Sequence, residues 1–88
     1  MLELHRTKKF DKDYVLMKKR GYNLTLLKDI VSKLQIPEKL PQKNKAHNLV
    51  GNFADFRECH ILPDWLLIYQ QTETKLILVR TGTHSDLF

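Results

Sequence analysis

The spacing of apolar residues changes character once along this chain, and that change decides the class of fold open to it. Over residues 8–20, Phe10, Tyr14 and Met17 recur at i, i+4 and i+7, which gathers them on one face of a helix and leaves Lys9, Lys12, Lys18 and Lys19 to water. Thr7 is a good N-cap and Gly21 a natural stop. Asn23 caps a second helix, in which Leu27, Ile30, Val31 and Leu34 repeat the pattern until Pro37 ends it. Two such helices in succession make an αα-hairpin. After Gly51 the signal is that of strands, with aromatic and β-branched residues in three bursts at 52–61, 64–69 and 75–81. Pro63 with Asp64, and then residues 71–74, form connections short enough for antiparallel hairpins. The run WLLIY at 65–69 is apolar on both sides, as befits a central strand covered by the helices on one face and partly covered on the other. Residues 2–5 alternate apolar and polar and read as an edge strand. The order β, α, α, β, β, β predicts an α+β domain: an N-terminal strand and a helical hairpin packed on a mainly antiparallel twisted sheet. Residues 37–51, with Pro41, Lys43, Asn44, Lys45 and Asn48 and few apolar anchors, are expected as a long basic loop that carries His47.

Eighty-eight residues hold one such domain, so 1–88 reads as a single unit. The hydrophobic fraction of 42% against 28% charged excludes a disordered chain. A lone cysteine, Cys59, excludes an internal disulfide and cannot supply a zinc site by itself. Neither a signal-like apolar stretch near the N-terminus nor a run of about 20 apolar residues occurs, so the expectation is a soluble, cytoplasmic protein with no membrane partner. The net charge of +5 is unevenly spread. Residues 1–45 carry twelve Lys or Arg against five acids, and residues 46–88 carry three against five, together with three of the four histidines. A basic face beside a histidine-containing pocket suits a polyanion held by salt-sensitive attraction, the plain alternative being a solvated lysine surface.

Strand parity sharpens the pocket. Phe56, Glu58 and His60 share one face of the first hairpin strand, and Arg57, Cys59 and Ile61 share the other. With the second set under the helices, Glu58 and His60 project onto the open face, within reach of His84 beyond the third strand and of His47 from the basic loop. Imidazoles titrate near neutral pH and can divide the base and acid roles around a phosphodiester, while arginine stabilises the charge that builds on phosphorus. No HxH, HxxxH or CxxC spacing supports a metal, and no cofactor is expected. Plainer readings stand beside these: Cys59, Trp65 and Tyr69 as core residues, Asp64 as a turn former, Arg80 as a strand-end ion-pair partner, His5 as incidental.

At FRECHILPDWLLIY, residues 56–69, and RTGTHSDLF, residues 80–88, the chain resembles the YafQ branch of the RelE-type bacterial toxins. The likeness extends to the whole chain, including the H-x-L segment at 47–49. It implies a microbial-RNase-like fold and the toxin of a type II toxin–antitoxin module, an endoribonuclease that cleaves mRNA in the ribosomal A site without a metal. Position by position, it implies catalytic or near-catalytic roles for His47, Glu58, His60, Asp64 and His84, with Phe88 close to the substrate. Either His60 or His47 is then the base and His84 the acid, with Asp64 orienting an imidazole. Arg57 and Arg80 are candidate phosphate contacts, and Lys43 and Lys45 belong to the basic surface for ribosomal RNA. A cognate antitoxin is the implied protein partner, with operator DNA reached only through that complex. The competing reading is a non-catalytic RNA- or protein-binding module on the same fold.

Overall fold

A computed structural model describes residues 1–36 and 56–88 in full and residues 47–48 as backbone. A first strand β1 (Glu3–Arg6) leads into helices α1 (Lys8–Lys19) and α2 (Leu24–Gln35). Strands β2 (His47–Asn48), β3 (Arg57–Leu62), β4 (Trp65–Gln71) and β5 (Lys75–Gly82) follow, and a short helix α3 (His84–Leu87) comes last. The strands form one sheet in the order β1-β5-β4-β3-β2. All neighbours are antiparallel except β1 and β5, which run parallel with Glu3 opposite Lys75.

The caps expected from sequence are in place. Thr7 Oγ1 accepts from the Phe10 N–H at 3.0 Å, and Asn23 Oδ1 accepts from the Thr25 N–H at 3.1 Å, each satisfying an N–H that a helix start leaves unpaired. Gly21 adopts φ +82°, the left-handed turn that lets the chain leave α1 without a Cβ penalty. Thr7 also donates from Oγ1 to the Val79 carbonyl at 2.7 Å, so the cap of α1 is fastened to β5.

One core lies between the helices and the sheet. Phe10 and Met17 of α1 and Leu27, Ile30, Val31 and Leu34 of α2 are buried against Cys59, Ile61, Trp65, Leu67, Tyr69, Leu76 and Leu78. Each large aliphatic side chain so covered contributes about 1.5–3 kcal/mol. The Trp65 Nε1–H donates to Thr81 Oγ1 at 2.9 Å, and that hydroxyl donates on to the Leu66 carbonyl at 2.7 Å, so the indole and hydroxyl buried here are both paired. Leu66 and Ile68 are buried on the other face, in register with His60 and Glu58, and give those two polar side chains an apolar floor.

Three elements differ from the sequence expectation. Around His47 the chain does not simply loop: His47 and Asn48 form a strand opposite Glu58 and Arg57. The remainder of that segment, and the start of the strand expected from residue 52, lie outside the described residues. The N-terminal strand begins one residue later than the alternation suggested, at Glu3. Residues after β5 turn into α3, which begins with His84.

Candidate functional site

Glu58 and His60 alternate with Arg57, Cys59 and Ile61 along β3, as parity required, so the core claims the second set and leaves the first on the open face. Register accounts for the rest. Pro63 and Asp64 turn the chain from β3 into β4, and Gly82 ends β5 beside the same turn, which delivers His84 next to Asp64. One nitrogen from each of His60 and His84 and a carboxylate oxygen of Glu58 all lie within 4.8 Å of one another, and the two rings are 5.8 Å apart.

Exposure grades across the cluster. Glu58 and His60 side chains are only 8% and 17% exposed, whereas His84 and Asp64 are 52% and 67% exposed. The inner pair is thus shielded while the outer pair can meet an incoming chain. His60 Nε2 stands 3.4 Å from Glu58 Oε1, and Nδ1 faces the Pro63 carbonyl at 3.3 Å. Because a carbonyl only accepts, Nδ1 carries the proton, and Nε2 points along the Glu58 side of the cleft.

Asp64 holds His84 at two points. Its Oδ1 accepts from the backbone N–H at 3.0 Å and from ring Nδ1 at 2.5 Å, which assigns the proton to Nδ1 and leaves Nε2 for other chemistry. These two bonds, the ring one first, hold the Asp64 carboxyl below its ordinary range, so it is ionised throughout neutral and mildly acidic conditions. Asp64 is therefore both the turn former of the plain reading and a partner of His84.

The remaining candidates divide. Arg57 lies on the helix-side face, its Nε donating to the Tyr69 hydroxyl at 3.4 Å. Arg80 forks Asp13 of α1 through Nε at 2.7 Å and Nη2 at 3.0 Å, with the Thr81 N–H adding a third bond to the same carboxylate at 3.3 Å. That is the ion-pair role the plain reading gave it. Phe88 follows α3 with an exposed side chain, and its N–H donates to the His84 carbonyl at 2.9 Å. His47 pairs with Glu58 through the backbone register. Its side chain, Lys43 and Lys45 lie outside the described residues. Burial, reinforced by the Glu58 carboxylate, pushes the Cys59 thiol up to about 12, which makes it a core residue and not a nucleophile.

Sequence reasoning missed Arg20 and Asp86, whose carboxylate and guanidinium meet beside the cluster. The available signal was Thr83-x-x-Asp86, the capping-box spacing, at the start of α3. The sequence also showed no metal spacing, yet Glu58, His60 and His84 form a donor set of two imidazoles and a carboxylate, drawn from β3 and α3, that fits a transition-metal ion.

Comparison with known proteins gives a consistent result. Residues 2–88 match the family described as bacterial toxin of type II toxin–antitoxin system, YafQ. The mRNA interferase toxin YafQ of Escherichia coli strain K12 is 39% identical over 82 residues, covering 90% of this chain and 87% of the relative. Among solved structures, a metal-bound toxin from Helicobacter pylori superposes with a TM-score of 0.94 at 48% identity over the whole of both chains. The toxin in the E. coli DinJ–YafQ toxin–antitoxin complex superposes with a TM-score of 0.92 at 35% identity, covering 99% of this chain and 97% of the other.

Proposed function

The chain belongs to the YafQ family of bacterial type II toxins, and from that premise we propose that it is an mRNA interferase that cuts mRNA in the ribosomal A site, in the cytoplasm, under the control of a cognate antitoxin. The observation that carries this reading is the cluster of Glu58, His60 and His84 within 4.8 Å, with Asp64 fixed on the outer histidine. Metal-free cleavage of RNA needs a base for the 2′-OH, in-line attack on phosphorus, and an acid for the 5′ oxygen. His60 or His47 removes the 2′ proton, and Glu58 beside His60 steadies the imidazolium that results. The 2′ oxygen forms its bond to phosphorus as the P–O5′ bond breaks, and His84 gives its Nε2 proton to the departing oxygen. The products are a 2′,3′-cyclic phosphate and a 5′-hydroxyl. Asp64 holds the Nδ1–H of His84 and balances the positive charge of the imidazolium that donates from Nε2, and each proton transfer contributes about 10²–10⁴-fold. Phe88 borders the substrate, while Arg57 and Arg80, turned to Tyr69 and Asp13, are candidates for the flanking backbone and not the scissile phosphate.

The lysines and arginines of the first half of the chain, Lys43 and Lys45 among them, are the charges offered to ribosomal RNA. A groove of about 430 Å³ between α1, α2 and the β1 edge, lined by Leu4, Phe10, Leu27 and Val31 with Arg6 and Lys28 at hand, suits an acidic amphipathic arm of the antitoxin. Operator DNA is reached only through the antitoxin complex. No helix among the described residues is long and apolar enough to cross a membrane.

Primer extension on a defined mRNA in a purified translation system, with and without ribosomes, tests the proposal. Stops that require ribosomes and vanish in folded His60→Ala and His84→Ala variants are the expected result. Equal stops on naked mRNA would replace it with a free ribonuclease. Stops or toxicity surviving removal of both histidines would favour the non-catalytic binding module.

The donor set favours one additional reading. A transition-metal ion seated on Glu58, His60 and His84 would occupy the groups that move protons, so binding there inhibits. Cleavage should persist in excess EDTA and fall when copper is added, and loss of activity on chelation would overturn this assignment.

A further inference from the structure

Arg20 stands outside the cluster, at the C-terminal cap of α1, yet one unbroken chain of contacts joins it to His84. Its guanidinium forks the Asp86 carboxylate, Nη1 to Oδ2 at 2.6 Å and Nη2 to Oδ1 at 3.1 Å. Asp86 Oδ2 also accepts from the Thr83 N–H at 2.9 Å, and Thr83 Oγ1 accepts from the Asp86 N–H at 3.2 Å. This reciprocal capping box closes the first turn of α3, and His84 is the first residue of that turn. Gly82 makes room for it: a Cβ there would lie 3.0 Å from Asp86 Cβ and 3.1 Å from Oδ2.

A helix of four residues cannot hold its own direction, because a single turn has a cost of nucleation that one or two hydrogen bonds do not offset. Nor is a part-exposed ion pair of this kind a significant source of global stability. Its bidentate geometry does something else, fixing direction as well as distance. Asp64 clamps the ring of His84 from the turn side, and the Arg20 fork anchors its backbone from the α1 side.

We propose that Arg20, acting through Asp86, is a positioning residue for RNA cleavage that aims His84 at the leaving oxygen. The proposal rests on the assignment of His84 as the acid in the preceding section. Displacement of a catalytic group by about 1 Å can cost on the order of 10²-fold, so loss of the fork should be visible in the rate and not in substrate capture.

The test is single-turnover cleavage on the programmed ribosome substrate, with Arg20→Gln, Arg20→Lys and Asp86→Asn made in the wild-type and His84→Ala backgrounds. Circular dichroism and thermal melting establish folding. Arg20→Gln should lower the maximal rate by about 10–100-fold with little change in half-saturating concentration. Arg20→Lys keeps the charge without the fork and should recover part of the loss. In the His84→Ala background Arg20→Gln should add nothing, since a residue acting through His84 has nothing left to aim. Should Arg20→Gln not fold, Asp86→Asn, which keeps an oxygen for the Thr83 cap, replaces it and should show the same pattern. A folded Arg20→Gln with wild-type kinetics would overturn the proposal. So would a loss that multiplies that of His84→Ala, or one confined to half-saturating concentration, which would make Arg20 an RNA contact of the basic surface. Full activity in His84→Ala would instead overturn the acid assignment itself, independently of how Arg20 behaves.

Discussion

Asp64 is placed to serve structure and, in the proposed mechanism, chemistry together. As the residue after Pro63 it turns the chain, and the same carboxylate oxygen accepts both the backbone N–H and the ring Nδ1 of His84, 20 positions later. Because the pair is well exposed, its value lies in tautomer and orientation, with little to be gained in stability. Asp64→Asn should therefore leave the melting temperature nearly unchanged while lowering the single-turnover cleavage rate by about 10–100-fold, since an amide can neither balance the imidazolium that must donate from Nε2 nor enforce the Nδ1 proton. A variant as fast as wild type at saturating substrate would show that His84 keeps its tautomer unaided. Glu58 works under different conditions. It lies against the apolar floor of Leu66 and Ile68, 3.4 Å from His60, where in the proposed mechanism it pairs with the imidazolium that forms.

Helix α1 and its C-cap brace the segment that carries His84, although none of their residues enters the cluster. Asp13 and Arg20 are seven positions apart, two turns along one stripe, and each forks an opposite charge on the segment that carries His84: Asp13 with Arg80 of β5, Arg20 with Asp86 of α3. The start of the helix is secured by Thr7, which caps Phe10 and bonds the Val79 carbonyl. Thr7→Ala removes both bonds and should cost about 1–2 kcal/mol, read as a lower urea midpoint with an unchanged slope. A loss below a few tenths would mean that water replaces both partners. This capping was legible from sequence because Thr7, Asn23 and Gly21 act locally, and both helix faces followed from their spacing. Parity likewise sorted Glu58 and His60 from Cys59 and Ile61. Pairings between distant segments were not legible: the parallel partnership of β1 with β5 joins residues more than 70 positions apart, and no periodicity encodes it. Helix α3 is too short to display a period at all, so only its capping spacing marked it. The meeting of His84 with Asp64, and of Arg20 with Asp86, required the turn, the sheet register and the helix to be in place together.

The whole molecule combines a basic half with a few carboxylates held in tight pairs, and both features make its behaviour depend on conditions. Asp86 is depressed far below its usual range, chiefly by the Arg20 fork and then by the Thr83 N–H, and Asp64 is depressed by its bonds to His84. A carboxyl whose folded pKa is lowered contributes stability that is fully present above its unfolded value and is lost as pH falls through the folded one. The native state should thus be steady from neutral pH to about pH 4 and weaken below it, where protonation also adds to an already positive chain. Urea unfolding at pH 7, 4 and 3 should show that decline, and Asp86→Asn should flatten it between about pH 4 and 2; an equal slope in the variant would place the acid sensitivity elsewhere. The charge itself bears on RNA. Lys12, Lys18 and Lys19 project from α1, all three exposed, and carry a share of the +5 net charge into solvent. If they contact phosphate, log–log plots of RNA affinity against salt should be steep for the wild-type chain and shallower by about 0.7–0.9 for each contact that a Lys→Glu variant removes. Weakening should be uniform across RNA sequences, because phosphate contacts position the nucleic acid without reading it. A variant whose salt slope equals that of wild type would reduce this lysine stripe to a solvated face and move the RNA-binding surface to another part of the molecule.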